Sequence, residues 1–137
     1  MKYVSRWLPC IIWMGVIYYL SSQTGDDLGG WLDTIQLWIP FMKGFDWGHF
    51  VSYFVLALLY AWGLGINRLT LWKKIFVVLL CTLYGITDEF HQSFVPNRTP
   101  DVMDLRNDAI GATLAMLFVT IPAVRKCFER SSGVKYY

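Results

Sequence analysis

Residues 50–66 read Phe50-Val-Ser-Tyr-Phe-Val-Leu-Ala-Leu-Leu-Tyr-Ala-Trp-Gly-Leu-Gly-Ile66, a run with no acidic, basic or histidine side chain. A helix needs about 20 predominantly apolar residues, within a range of roughly 17–25, to cross the hydrocarbon of a bilayer. This run is long enough, and His49 marks its start. Three other stretches follow the same pattern. Val4–Leu20 is apolar apart from Arg6, Leu69–Thr87 carries Lys73 and Lys74 near one end, and Asp108–Val124 is uncharged after its first residue. The uncharged part of the third stretch, Ile75–Thr87, covers only 13 residues. Lysine stems can snorkel to the interface, and this helix is expected to continue through Asp88–Gln92 inside a protected cavity. The expectation is an all-α fold: a single-domain integral membrane bundle of four transmembrane helices.

Composition agrees with that solvent. The 137 residues are 55% hydrophobic and 16% charged, with a mean hydropathy of +0.41. Soluble domains carry about 25% charged residues, and so short a soluble chain has too little interior for this much apolar surface. The net charge of +2, with no basic run, argues against a nucleic-acid partner. Cys10, Cys81 and Cys127 are odd in number and widely spaced, which points to neither a disulfide framework nor a cysteine metal site. The basic start and apolar run of the first stretch resemble a signal peptide, but no small-x-small pattern follows Leu20, so a retained helix is expected.

The loops orient the chain. Basic residues fall at Lys2 and Arg6, at Arg68, Lys73 and Lys74, and at Arg125, Lys126, Arg130 and Lys135. Four spans put all three groups on one side. The first of the other two loops sets Asp26, Asp27, Asp33 and Asp46 against Lys43, and the second sets five acidic residues from Asp88 to Asp108 against Arg98 and Arg106. The positive-inside rule then places both termini in the cytoplasm. In the first loop, Trp31, Leu32, Ile35, Leu37, Trp38, Ile39 and Phe41 suit either an interfacial amphipathic helix ended by Pro40 or a packed hydrophobic loop.

Alternating helix directions bring the conspicuous polar residues to the opposite, outer face. Ser21, Ser22 and Gln23 end the first helix, and Asp46 and His49 begin the second. Asp88, Glu89, His91 and Gln92 end the third, and Asp104, Asn107 and Asp108 begin the fourth. Ionisable groups at membrane depth face a protein interior or a watery cavity. His91 with Asp88 or Glu89 fits a general base and its orienter, with His49 and Asp104 as further catalytic candidates. Arg98 fits a two-pronged grip on phosphate or carboxylate. Gln92, Asn107, Gln23 and Asp46 are further substrate-binding candidates. No resident cofactor is expected, although His49, His91, Glu89 and Asp104 offer nitrogen and oxygen ligands for a divalent metal ion. Each residue also has a structural reading: Asp104 as a helix cap, Asn107 as a packing hydrogen bonder, the serines as turn residues. Spacing adds that Gly111, Ala112 and Ala115 let a neighbouring helix approach closely.

These residues carry a family resemblance over nearly the whole chain. Ser21-Ser22-Gln23 is followed by Asp46-x-x-His49-Phe50 with Tyr53 and Leu56. Then come Tyr84-Gly85-x-x-Asp88-Glu89-x-His91-Gln92-x-Phe94-x-Pro96-x-Arg98 and Asp104-x-x-Asn107-x-x-x-Gly111. The pattern resembles VanZ-like membrane proteins. Two positions depart from it: Trp47 stands where the family often has lysine, and Asn97 where it often has glycine, a place for left-handed backbone that asparagine tolerates. The resemblance implies a multi-pass protein of the bacterial cytoplasmic membrane with a cell-envelope theme. The family takes its name from a member associated with resistance to teicoplanin, a lipid-tailed glycopeptide, and the name supplies no reaction. The implied partners are membrane lipids and a lipid-linked envelope precursor or lipoglycopeptide. Three functions stay open: an enzyme acting on an anionic or lipid-linked envelope molecule, a non-catalytic lipid or antibiotic binder, and a purely structural bundle. Transport fits less well, because no ionisable path runs through the middle of the helices. The pattern does not specify an oligomeric state.

Overall fold

The computed structural model describes residues 4–38, 46–64 and 70–131. Among these the chain is all-helical: α1 (Val4–Ser21), α2 (Gly25–Trp38), α3 (Asp46–Gly63), α4 (Leu71–Gln92), α5 (Val102–Phe118) and α6 (Pro122–Ser131). The bundle consists of α1, α3, α4 and α5. Its most extensive pairing is α3 with α5, and α3 also packs on α1 and α4. Parallel α3 and α5 run against the direction of α1 and α4, so the starts of the first pair meet the ends of the second.

Small residues allow this closeness. A Cβ built at Gly111 would lie 2.5 Å from the carbonyl oxygen of Phe50. Ala57, Ala61, Ala112 and Ala115 are fully buried around the same seam, beside Tyr53, Leu56, Val77 and Cys81. The expected close approach at Gly111 is thus a backbone contact. Two polar ties cross between helices. Trp13 Nε1 donates to Ser52 O at 2.9 Å, and the Tyr84 hydroxyl donates to Met14 O at 2.7 Å. A half-buried bond of this kind contributes about 1 kcal/mol net. Tyr84→Phe should therefore lower stability by about 1 kcal/mol, read as an earlier midpoint in detergent denaturation. An unchanged midpoint would mean that solvent replaces the bond at no cost.

Several boundaries differ from expectation. The fourth helix was expected at Asp108–Val124 and runs instead from Val102 to Phe118. Its cap is Asp101, whose side chain accepts from Met103 N at 2.8 Å, so Asp104 is not the cap. At the far end Pro122 lacks an N–H and disfavours helix at the residue before it, so it ends the expected span and opens α6. The second helix starts at Asp46, four residues early, and ends at Gly63. The third continues through Gln92 as expected. The first loop does contain a helix, α2, with Leu37 and Trp38 exposed. Ile39, Pro40, Phe41, Lys43, Ile66, Arg68, Leu69, Lys2 and Lys135 lie outside the described residues, as do the side chains of Trp31, Leu32, Ile35, Asp27, Asp46 and Arg130.

The expected four crossings are not shown: among the described residues no helix is long and apolar enough to cross a membrane. Shifted boundaries draw Asp46–His49 into α3 and Asp104–Asp108 into α5, α4 includes Lys73, Lys74 and Asp88–Gln92, and α1 carries Arg6 and Pro9. At 1.5 Å rise, the 18 residues of α1 or α3 span about 27 Å. Large apolar side chains nevertheless cover much of the described surface, around an apolar core that holds a few buried polar groups. Leu8, Ile12, Phe76, Leu79, Leu83 and Leu117 are exposed, while Asp88, Gln92, Asn107 and Asp108 are buried.

Candidate functional site

The polar interior lies where three helix ends meet. His49 is one turn into α3, Asp104 and Asp108 occupy the first two turns of α5, and Asp88, Glu89 and Gln92 close α4. His49 Nδ1 donates to Asp108 Oδ1 at 2.9 Å. Asp108 is fully buried, and its Oδ2 has no hydrogen-bond partner. That oxygen fits against α4 because residue 85 is glycine: a Cβ there would stand 2.6 Å from it. The other ring nitrogen of His49, Nε2, lies 3.6 Å from Asp104 Oδ2. Asp88 and Glu89 complete the group, each offering an oxygen within 4.8 Å of the other and of a His49 nitrogen.

Neighbours fix the carboxylates. Gln92 Nε2 donates to Asp88 Oδ2 at 3.3 Å and reaches Glu89 Oε1 at 3.5 Å. Glu89 Oε2 accepts from Asp101 N at 2.9 Å, so the cap of α5 is tied to the end of α4. Two of these groups lie outside the apolar stretches and have shifted protonation. Burial pulls the His49 imidazole down, but the hydrogen bond to Asp108 and the charges of Asp108, Asp104 and Asp88 hold it above its ordinary value. Burial pushes the Glu89 carboxyl up, against the bond from Asp101 N. Four carboxylates around one imidazole make a strongly electronegative cluster.

Of the residues singled out in the sequence, His49, Asp88, Glu89, Asp104 and Gln92 come together here. The contacts of His91 run elsewhere. Its ring stacks on Tyr18 at 4.2 Å, and its Nε2 lies 3.0 Å from Ser22 Oγ. The Ser22 hydroxyl proton goes to Tyr18 O at 2.7 Å, so His91 Nε2 is the donor. His91 therefore ties α4 to α1; the group of ligand atoms within 4.8 Å of one another is His49, Asp88 and Glu89, with neither His91 nor Asp104 in it, although Asp104 lies 3.6 Å from His49 Nε2. Gln23 Nε2 bonds back to Tyr19 O at 3.0 Å, and buried Asn107 accepts from Arg106 at 3.3 Å. Arg98 is half-buried in the turn after α4. In that turn Asn97 takes the left-handed backbone expected of it, with φ 58°, and donates to Asp26 at 2.9 Å. Asp46 opens α3, with its side chain outside the described residues. Asp108 and Gly85 were not singled out for the site. The signal for Asp108 is its spacing: Asp104, Asp108 and Gly111 stand at i, i+4 and i+7 on one helix face.

All of these residues fall within a stretch, residues 6–123, that matches the model of the VanZ/LLP1 family. The chain belongs to the VanZ/LLP1 family. An uncharacterized protein of Schizosaccharomyces pombe, C11E3.10, is similar to it, 33% identical over 70 residues that cover 50% of this chain and 42% of that protein. The chain thus spans less than half the length of that curated relative. No solved structure matches the chain. In this VanZ/LLP1 chain, the matched stretch takes in the whole cluster and the seam that holds it.

Proposed function

We propose that this VanZ/LLP1 chain is a membrane-embedded enzyme of the cell envelope, acting on an anionic, lipid-linked molecule at the cluster around His49. One observation carries the reading: a fully buried Asp108 holds His49 Nδ1 at 2.9 Å, the other ring nitrogen lies 3.6 Å from Asp104, and Asp88 and Glu89 each offer an oxygen within 4.8 Å of a His49 nitrogen. Fixing Nδ1–H sets the tautomer and leaves the Nε2 electron pair at a defined position. A purely structural bundle gains little from a buried carboxylate with an orphan oxygen, because apolar residues of similar volume stabilise at least as well.

The exposed large apolar side chains support a membrane setting. The apolar stretches of α1, α3, α4 and α5 lie in hydrocarbon, and short helices are accommodated by local thinning. Arg6, Lys73, Lys74, Arg125 and Lys126 belong to the end opposite the cluster, the cytoplasmic end by the positive-inside rule. The cluster then opens at the outer face of a bacterial cytoplasmic membrane, where a lipid-linked precursor or a lipid-tailed glycopeptide arrives.

The test is teicoplanin susceptibility of a Gram-positive host, with vancomycin as control and variants matched for membrane abundance. Wild type should raise tolerance, His49→Gln and Asp108→Asn should abolish it, and His91→Gln should retain most of it. Equal loss at positions 49 and 91, or a graded loss at every position, counts against a catalytic centre at His49. No tolerance from wild type removes the glycopeptide from the proposal.

A further inference from the structure

We infer that the cluster binds one divalent transition-metal ion, of the zinc or manganese class, through His49 Nε2, Asp88, Glu89 and Asp104, with Asp108 as the residue that positions His49. Charge gives the first argument. An anionic substrate cannot approach Asp88, Glu89, Asp104 and Asp108 gathered around a single imidazole without strong repulsion in a partly buried site. A divalent cation offsets two of those four negative charges, and an ion that expands beyond four ligands accepts phosphate or carboxylate oxygens. This substrate clause rests on the function proposed above; the ion site does not.

Geometry gives the second argument. Ligands on a tetrahedral ion, each roughly 2.1 Å from it, stand about 3.4 Å apart. His49 Nε2 and Asp104 Oδ2 stand 3.6 Å apart, beyond hydrogen-bond reach and close to that spacing. Ligand atoms of His49, Asp88 and Glu89 lie within 4.8 Å of one another, so small side-chain rotations close them on a common centre. The donor set of one imidazole nitrogen and several carboxylate oxygens suits zinc or manganese, and the two buried thiols, Cys10 and Cys81, belong to the apolar core.

The third argument is independent of the acidic residues at the ion. His49 is only 8% exposed, and its Nε2 lies 3.6 Å from Asp104 Oδ2, beyond hydrogen-bond reach. Its Nδ1 is held by a carboxylate, the arrangement that orients metal-bound histidines and raises their basicity. Asp108 devotes one oxygen to that bond and has no other polar partner.

The full chain in detergent, stripped with chelator and dialysed against Zn²⁺ or Mn²⁺, should retain about one ion by elemental analysis. Titration with Co²⁺ should give visible ligand-field absorption. His49→Gln and Asp88→Asn should lose the ion, Asp108→Asn should weaken affinity about 10–100-fold, and His91→Gln should bind as wild type does. Glu89→Gln guards against misfolding: it should melt like wild type without metal and lose the upward Tm shift that the ion gives wild type. A wild type that retains no ion, or binding that His49→Gln leaves intact, overturns the site. Ion binding together with full teicoplanin tolerance in His49→Gln overturns the envelope reading and leaves the ion standing. Lost tolerance with no ion in wild type overturns the ion alone.

Discussion

His49→Leu is expected to lower stability by about 3–5 kcal/mol, and a second change, Asp108→Leu, to return most of that loss. The single variant strands the fully buried Asp108 carboxylate without its 2.9 Å partner. The remaining oxygen already has no hydrogen-bond partner, so nothing nearby compensates. Replacing both members removes the charge and fills the space with apolar atoms, a change that is typically neutral or stabilising by about 1–4 kcal/mol. The measurement is a double-mutant cycle on chelator-stripped protein, with unfolding followed in mixed detergent. Additive losses, or a single variant costing under about 1 kcal/mol, would mean that the pair is not an energetic unit. A stable double variant without function would have a sharper meaning. It would show that the pair is kept for its chemistry at the expense of stability.

The bundle was legible because its signal is coarse. Four apolar stretches and the small residues of α5 are enough to specify four packed helices, and α4 ran on through Gln92 as its polar end required. Helix ends were less legible. Hydropathy opens the fourth helix at Asp108, yet α5 begins at Val102, and Asn107 and Asp108 are buried inside it, where His49 and Arg106 supply their partners. A polar residue satisfied within a bundle looks, in sequence, like a polar residue in water.

The gathering of polar groups at one end was also legible, but its centre was not. Each residue turns a helix by about 100°. Gln92 and His91 therefore sit on opposite flanks of Asp88, although both count as its neighbours by spacing. The structure sends Gln92 toward Asp88 and Glu89 and sends His91 to Ser22 and Tyr18 on α1. Spacing within one helix cannot choose between the flanks. The choice depends on which helix lies beside each flank, and the parallel α3–α5 pairing decides it by bringing His49 beside Asp108.

That pairing brings backbone against backbone at Gly111, and Gly111→Ala tests it. The added methyl would sit 2.5 Å from Phe50 O, a backbone carbonyl that cannot rotate away. Overpacking of this kind costs about 1–3 kcal/mol, occasionally more. Ordinary contact requires the seam to open by nearly an ångström, and His49 lies only one residue before Phe50 on the same helix. The 2.9 Å bond to Asp108 would lengthen with it, so the variant should lose stability and metal affinity together. Gly85→Ala meets a side-chain oxygen at 2.6 Å instead, and should disturb Asp108 more than the helix packing. Gly15→Ala is the control: nothing lies within 4 Å of its Cβ, and relief of backbone entropy should stabilise by about 0.5–1 kcal/mol. If Gly111→Ala proved as stable as Gly15→Ala, α3 and α5 would have to pack farther apart than described. The His49–Asp108 bond, and the site built on it, would then lose their structural basis.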